Sequence, residues 1–288
     1  MPNQFTNSEL IINDRGGIYH LDLHPDELAE TVIVVGDPER VNWMKEWFDT
    51  ILYEGCHREF NWFTGRIGTN EFTVISSGIG PDNIDILINE LDAVANIDFK
   101  NKQIKKHLKS LNILRLGTCG SININLNPGD MIATKYSIGL DGLMNYYHTQ
   151  TELNNFHNYL KEFAIAENLP MVPYAVEASS NWQHKLAHYY QGLTLAAPGF
   201  YGPQGRKLRL PYKPKNGIAC WEKFCFNQRK IDNIEMETAS LFALGKLLGH
   251  QVGALCVVLA NRVNGEFHKQ PKKAIYRLLN EAFAVLTN

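Results

Sequence analysis

The chain has 288 residues, 44% of them hydrophobic, which is long enough to bury a full α/β core. Its 28 Lys and Arg residues nearly balance 30 Asp and Glu residues, so the net charge of −2 offers no general field for nucleic acid or an acidic membrane. The five cysteines are scattered without a CxxC pair, which predicts a reducing compartment and no zinc site. The sequence has no signal-peptide pattern and no membrane-length apolar run, so we predict a cytoplasmic protein whose partner is a small molecule.

Short β-branched runs alternate with segments of helical period along the chain. The predicted strands are Thr31–Val35, Phe72–Ser76, Asn112–Gly117, Met131–Thr134 and Gln251–Leu259. The predicted helices begin at Asp37-Pro38-Glu39, follow Gly80-Pro81, and cover Glu152–Asn168, Glu237–Leu248 and Pro271–Leu286. Because no linker or repeat interrupts this alternation, we predict one α/β domain over residues 1–288.

Two segments depart from the alternation. Leu195–Pro214 is rich in Gly, Pro and basic residues, and we predict a long loop of the kind that often covers an active site. Lys100–Lys109 carries five lysines, which could bind phosphates or form a solvated helix face. The solvated face is the better interpretation in an otherwise neutral chain, and we assign this segment no function.

Three segments place an arginine near a strand end or a turn. Arg115 precedes Gly117 and Thr118 behind an apolar run, Arg40 closes the segment that begins at Gly36, and Arg58 follows His57. Glycine-spaced strand ends of an α/β sheet present backbone N–H groups to anions, and guanidinium forks match phosphate oxygens in geometry. The pattern therefore predicts a phosphate site.

The segment Glu235-Met236-Glu237 places two acids at the start of an apolar helix. The helix dipole explains one acid, whereas a carboxylate that accepts hydrogen bonds from vicinal hydroxyls would explain the pair as a ribose site. From charge and spacing alone the two interpretations are equally supported.

Other short patterns are weaker signals. Gly78-Ile79-Gly80 lacks the third glycine of a dinucleotide fingerprint and is better explained as a tight turn. His184 and His188 have zinc-ligand spacing, but Lys185 replaces the catalytic glutamate, so we interpret them as surface histidines. Cys119 has no local histidine base, and we expect a small residue packed near the phosphate rather than a nucleophile.

Taken together, these segments resemble the nucleoside phosphorylase family, and within it the uridine phosphorylases rather than the purine enzymes. The resemblance runs from His20 to Arg262. It is carried by Tyr19-His20-Leu21, Gly36–Arg40, His57–Phe60, Gly78–Gly80, Arg115–Thr118, Phe200–Arg206 and Glu235–Glu237, in the family's order. The fold that the resemblance implies is a single three-layer αβα domain with a mixed, partly barrel-like central sheet.

The resemblance also implies roles for individual residues. Phosphate would be bound by Gly36, Arg40, Arg115 and Thr118, with Arg58 reaching in from a neighbouring subunit. Ribose would be bound by Glu235, Met236 and Glu237, with His20 crossing the same interface. The base would be bound by Phe200, Gln204 and Arg206. A site shared in this way implies a homodimer at least, and the family commonly closes three dimers into a hexamer.

Two observations favour uracil as the base. Gln204 offers a donor and an acceptor and Arg206 offers donors, which matches the O2, N3–H, O4 edge of uracil. Purine relatives place an aspartate at the end of a late strand, where this chain has Leu259-Ala260-Asn261-Arg262. The chain departs from the family pattern at Asp82-Asn83, Cys119 and the transposed Gly202-Pro203, and in the lysine-rich insertion.

The activity that the resemblance implies is phosphorolysis of uridine. Phosphate held by Arg115 attacks C1′, and Gln204, Arg206 and Arg262 stabilise the charge that develops on uracil. No cofactor is expected, because inorganic phosphate is a co-substrate. The alternatives are a purine nucleoside phosphorylase, a nucleosidase of the same fold and, more distantly, a non-catalytic nucleoside-binding protein.

Overall fold

Strands and helices alternate along residues 4–148, 153–211 and 218–287, which the computed structural model describes. The strands are β1 Thr31–Val35, β2 Thr50–His57, β3 Phe60–Ile67, β4 Asn70–Ser76, β5 Ile97–Asp98, β6 Gln103–Ile104, β7 Asn112–Ser121, β8 Met131–Gly139, β9 Tyr174–Glu177, β10 Tyr190–Ala196, β11 Asn233–Glu235, β12 Gln251–Asn261 and β13 Glu266–Phe267. The helices are α1 Pro38–Met44, α2 Pro81–Asn96, α3 Asn154–Ala166, α4 Ser180–Lys185, α5 Ala219–Glu222, α6 Thr238–Leu247 and α7 Pro271–Thr287. No described helix combines the length and the apolar character that a membrane crossing requires.

Five of the strands close into a mixed barrel. β12 pairs in parallel with β7 and antiparallel with β8, and β10 pairs in parallel with β8 and β11. The antiparallel pairing of β11 with β7 completes the ring. The sheet continues outward from β7 through β1, β4, β3 and β2, so the partly barrel-like mixed sheet is confirmed.

Helices cover the outer part of the sheet on both faces. Side chains alternate along a strand, so Val32 and Val34 of β1 enter the apolar core that contains α2 and α6. Ile33 and Val35 point the other way, into the core that contains α1 and α7. This arrangement confirms the three-layer αβα architecture.

The elements with strong local signals agree with the sequence predictions. β1 has the predicted bounds, and α1 begins at Pro38 with Asp37 as its N-cap, whose side chain accepts a hydrogen bond from the Glu39 N–H. α7 also lies where it was predicted. The predicted helix Glu152–Asn168 corresponds to α3, although residue 152 lies outside the described residues.

One prediction was wrong and the bounds of another differ from the structure. Lys100–Lys109 contains no helix, because β5 and β6 form a hairpin whose turn is held by the Asp98 carboxylate, which accepts from the N–H groups of Lys100 and Asn101. The predicted loop Leu195–Pro214 is present but begins at Ala197, because Leu195 and Ala196 belong to β10, where Leu195 is fully buried and pairs with β8 and β11. Residues 212–214 of that predicted loop lie outside the described residues.

Candidate active site

A cavity of about 740 Å³ opens beyond the carboxyl ends of β1 and β4 and beside the second half of β7. Open α/β sheets characteristically bind ligands at this edge. The structure brings most of the sequence-predicted site residues to its wall, namely Gly36, Arg40, Arg115, Thr118, Phe200, Gln204, Arg206, Glu235, Met236 and Glu237. His20, Arg58 and Arg262 do not line it.

Arg115 lies in the cavity wall with its side chain only 5% exposed. Its Nη2 pairs with Glu237 and lies 3.3 Å from Glu235 Oε2. Burial disfavours the charged guanidinium, but the two carboxylates outweigh that effect and raise the pKa of Arg115. Gly117 leaves room for this side chain, because a Cβ there would stand 1.9 Å from Nη1.

A second guanidinium, that of the half-buried Arg40, accompanies it. Arg40 projects from the first turns of α1, and burial lowers the pKa of Arg40, with the nearby Asp37 acting in the opposite direction. Arg40 Nε, Arg115 Nε and Arg115 Nη1 are all buried without a hydrogen-bond partner in the described part of the chain. Buried N–H groups of this kind require acceptors, so this part of the cavity wall is suited to an anion.

The two glutamates differ in their contacts. The Glu235 carboxylate accepts from the Glu237 N–H at 3.0 Å and from the Thr238 N–H at 3.0 and 3.1 Å, so it holds the first turn of α6. Burial raises the pKa of Glu235, and Arg115 opposes the rise. Glu237 instead accepts from the Gly80 N–H at 2.8 Å and from Arg115, which fixes its carboxylate at the cavity wall. Of the predicted ribose pair, Glu237 is therefore the better placed ligand.

Phe200, Gln204 and Arg206 form a second group in the cavity wall. The Arg206 guanidinium carbon lies 3.8 Å from the centre of the Phe200 ring, and Arg206 Nη1 donates to the side-chain oxygen of Gln204. Gln204 itself is only 3% exposed. Burial and the like charge of Arg262 lower the pKa of Arg206 to about 10, so Arg206 remains a cation at neutral pH. An amide, a cation and an aromatic ring thus converge here.

Arg262 stands behind this group instead of lining the cavity. Its Nη1 donates to the backbone oxygen of Gln204 at 2.7 Å, and its backbone N–H donates to Ser121 O. The contact holds the loop that carries Gln204. The structure thus gives Arg262 a supporting position, where the sequence predicted direct stabilisation of the base.

His20 and Arg58 do not line the cavity, and they belong to two segments that contact each other. Arg58 is exposed in the turn between β2 and β3, with a φ of 55° that is unusual for arginine. The neighbouring His57 Nδ1 lies 3.0 Å from the His20 carbonyl oxygen. Both residues were predicted to serve a neighbouring subunit, and that role stays a prediction.

Several wall residues were not predicted as ligands. Glu59, Ile79, Asn83, Ile234, Leu259 and Phe267 also line the cavity. Phe267 comes from β13, a strand of two residues that leaves no periodic signal in the sequence. Cys119 lies in the wall as expected, and burial raises the pKa of its thiol well above the ordinary value, so it is a poor nucleophile.

Comparison with known proteins agrees with this geometry. The chain matches the family model described as Phosphorylase superfamily over residues 30–288. It is 28% identical to a uridine phosphorylase of Thermococcus kodakarensis, covering 99% of this chain and 92% of that protein, and 26% identical to one of Salmonella typhimurium, covering 93% and 97%. A solved Trypanosoma brucei nucleoside phosphorylase, described as showing uridine phosphorylase activity, matches at 30% identity with a TM-score of 0.87, covering 96% of this chain and 99% of that one. The chain belongs to the phosphorylase superfamily.

Proposed function

We propose that the protein catalyses the reversible phosphorolysis of uridine to uracil and ribose 1-phosphate. One observation carries the proposal. The wall of one cavity contains Arg40 and Arg115, whose buried guanidinium N–H groups lack partners among the described residues, together with Glu237 and the Gln204–Arg206 pair. Phosphate would bind to the two arginines, ribose to Glu237 and the pyrimidine to Gln204 and Arg206.

Arg40 and Arg115 explain how the phosphate is held for attack. Phosphate oxygens accept from Arg40 and Arg115, and Gly36 and Thr118 lie within the same wall. The new bond forms between a phosphate oxygen and C1′ while the bond from C1′ to N1 breaks, and the bonding pair enters the uracil ring. Since the sugar gains oxocarbenium character as the bond opens, the dianion acts both as nucleophile and as countercharge.

Gln204 and Arg206 stabilise the uracil leaving group. Negative charge that enters uracil collects on O2 and O4, where the Arg206 cation and the Gln204 amide supply donors. The Arg262 contact with the Gln204 backbone keeps that amide in place. Because these interactions strengthen as charge develops, they lower the barrier more than they stabilise bound uridine.

The purine alternative lacks its acid. Asn261 ends β12 with a fully buried amide that donates to Asn123 O and Leu126 O and accepts from Val263 N and Asn264 N. Such an amide is not an acid that can protonate a purine N7, and its N–H groups already donate to these two carbonyl oxygens. The hydrolytic alternative needs no anion site and leaves the free N–H groups of Arg40 and Arg115 unexplained.

We further propose that residues 1–288 form one domain and that two copies share each site. The barrel and the outer strands belong to one continuous sheet, which supports the single domain. His20 and Arg58 lie together outside the cavity, which supports their use by a neighbouring copy. A phosphate bound by Arg40 and Arg115 would gain a third cation from the partner subunit's Arg58.

One assay separates the candidate functions. The protein is incubated with uridine, thymidine or inosine, with and without phosphate, and base release is followed by ultraviolet absorbance. We expect uracil from uridine only when phosphate is present. Faster release of hypoxanthine would support a purine enzyme, release without phosphate a nucleosidase, and binding without release a nucleoside-binding protein.

A further inference from the structure

The carboxylate of Glu90 in α2 contacts the segment that carries His20. Its Oε1 lies 2.6 Å from His20 Nδ1, and its Oε2 accepts from the His20 N–H at 3.0 Å and the Leu21 N–H at 2.9 Å. The Glu90 side chain is 14% exposed and the His20 side chain 30% exposed. One carboxylate therefore fixes both the backbone and the ring of this histidine.

Other contacts restrain the same segment from the outside. The Tyr19 ring packs edge-on against the His20 ring at 4.8 Å, and His57 Nδ1 lies 3.0 Å from the His20 carbonyl oxygen. By contrast, no group in the described ranges 4–148, 153–211 and 218–287 forms a hydrogen bond with His20 Nε2. The segment is held firmly while one ring nitrogen remains available.

The contact with Glu90 determines what that nitrogen can do. In a neutral imidazole one ring nitrogen donates and the other accepts. A carboxylate can only accept from Nδ1, so the proton stays there and Nε2 is left as an acceptor. An acceptor of this kind suits a hydroxyl group, which donates its proton.

We propose that Glu90 is a positioning residue of the reaction, holding His20 so that Nε2 accepts from a sugar hydroxyl of the nucleoside bound in the neighbouring subunit. The inference rests on the proposed function and its shared site. The Glu237 carboxylate in the cavity wall would accept from the vicinal 2′ and 3′ hydroxyls, so the 5′ hydroxyl is the one left for His20. Carboxylates that orient histidine ligands act in the same way in metal sites.

The test compares uridine with 5′-deoxyuridine, which lacks only that hydroxyl. Phosphorolysis kinetics are measured for the wild type and for Glu90→Gln, Glu90→Asp and His20→Ala. Asp85→Asn is the matched control, since Asp85 is a half-buried acid of the same helix that contacts Tyr147 and Asn89 instead of His20. Chromatography and thermal melting establish that each variant is folded.

We expect the wild type to prefer uridine by about tenfold in kcat/KM, the worth of one hydrogen bond of about 1.4 kcal/mol. Glu90→Gln and His20→Ala should both abolish that preference, mainly through a higher KM for uridine, and Asp85→Asn should keep it. Glu90→Asp retains the carboxylate and should keep part of the preference, which preserves the test if Glu90→Gln does not fold.

Two results would overturn the inference. A full preference in Glu90→Gln, with none in His20→Ala, would show that His20 acts without Glu90. A full preference in His20→Ala would show that another group binds the hydroxyl. Failure of the wild type to cleave uridine in the presence of phosphate would instead overturn the proposed function, so the two failures are distinguishable.

Discussion

Arg40, which is half-buried, and Arg115, which is buried, are neighbouring cations with different surroundings. Arg115 is paired with two buried carboxylates, whereas burial lowers the pKa of Arg40 and none of the ion pairs found in the described residues involves it. Placing like charges together is unfavourable. The phosphate dianion of the proposed reaction would offset this repulsion.

This difference predicts that the two arginines contribute unequally to stability. Arg40→Ala should raise the KM for phosphate about 10- to 100-fold, the loss of one charge-assisted hydrogen bond, without lowering the free energy of unfolding. Arg115→Ala should also impair phosphate use, but it leaves Glu235 and Glu237 as uncompensated buried acids and should destabilise the fold by about 3–5 kcal/mol. Steady-state kinetics and urea denaturation measure the two effects.

Arg66→Ala is the matched control for both variants, because Arg66 pairs with Glu71 on the exposed surface of the β3–β4 hairpin. Its phosphate KM and its stability should both stay near those of the wild type. Equal destabilisation by Arg40→Ala and Arg115→Ala would contradict the electrostatic account.

Cys119 lies in the cavity wall but should take no part in the chemistry. Its thiol donates to the Val257 carbonyl oxygen at 3.8 Å, and burial raises its pKa well above the ordinary value. Cys119→Ala should therefore keep kcat/KM for uridine within about threefold of the wild type, because a thiol that stays protonated is no nucleophile. Trapping of a covalent enzyme intermediate at Cys119 would disprove this.

At the scale of elements, the glycine that precedes α2 has an unusual backbone conformation and contacts a residue of the cavity wall. Gly80 has a φ of 97° and donates its N–H to Glu237 at 2.8 Å. Because residues with a side chain avoid that backbone region, Gly80→Ala should cost about 1–3 kcal/mol of stability and also raise the KM for uridine.

Gly68 offers the matched control for that substitution. It has a φ of 58° in the β3–β4 turn, and a Cβ there would meet nothing within 4 Å. Gly68→Ala should lower the melting temperature while leaving the KM for uridine unchanged. A Gly80→Ala variant that behaves like Gly68→Ala in both measurements would show that the Glu237 contact is dispensable.

The sequence predicted those elements whose signals are local. Asp37-Pro38-Glu39 contains the N-cap, the first-turn proline and the acid that start α1, and β1 is a plain β-branched run. β11 has three residues and β13 two, too few for any period to register, although β11 is the strand that closes the barrel. The five lysines of Lys100–Lys109 favour a solvated helix face, whereas the structure has a hairpin there, because charge density does not determine the pattern of backbone hydrogen bonds.

The site was predictable to the extent that it follows contiguous motifs. Gly36–Arg40 and Arg115–Thr118 are each read from one stretch of chain, and the structure brings both to one cavity wall. The contacts of Glu235 with the start of α6, of Arg262 with the Gln204 carbonyl and of Glu90 with His20 depend on how distant segments fold together. Sequence spacing carries no signal for such contacts.

At the scale of the whole molecule, the proposed site is divided between subunits, which a mixing experiment can test. Arg58→Gly removes the guanidinium and suits the positive φ at that turn, and Arg206→Ala disables the base-binding part of the proposed site. Each variant alone should be nearly inactive. Unfolding and refolding the two together should restore about a quarter of the wild-type activity, because half of the dimers are mixed and each mixed dimer contains one intact site.

A site built within one chain would gain nothing from that mixture. Each variant refolded alone is the control, and chromatography measures how many mixed dimers form. Absence of recovery despite efficient formation of mixed dimers would remove Arg58 from the neighbouring site and leave Arg40 and Arg115 as the cations proposed to bind phosphate.

The most direct test of the central claim follows the oxygen that bonds to C1′. Uridine is cleaved in the presence of phosphate labelled with oxygen-18, and the products are analysed by phosphorus NMR and mass spectrometry. We predict ribose 1-phosphate that retains every labelled oxygen, because phosphate held by Arg40 and Arg115 is the nucleophile. Free ribose that carries an unlabelled oxygen from water would contradict phosphorolysis.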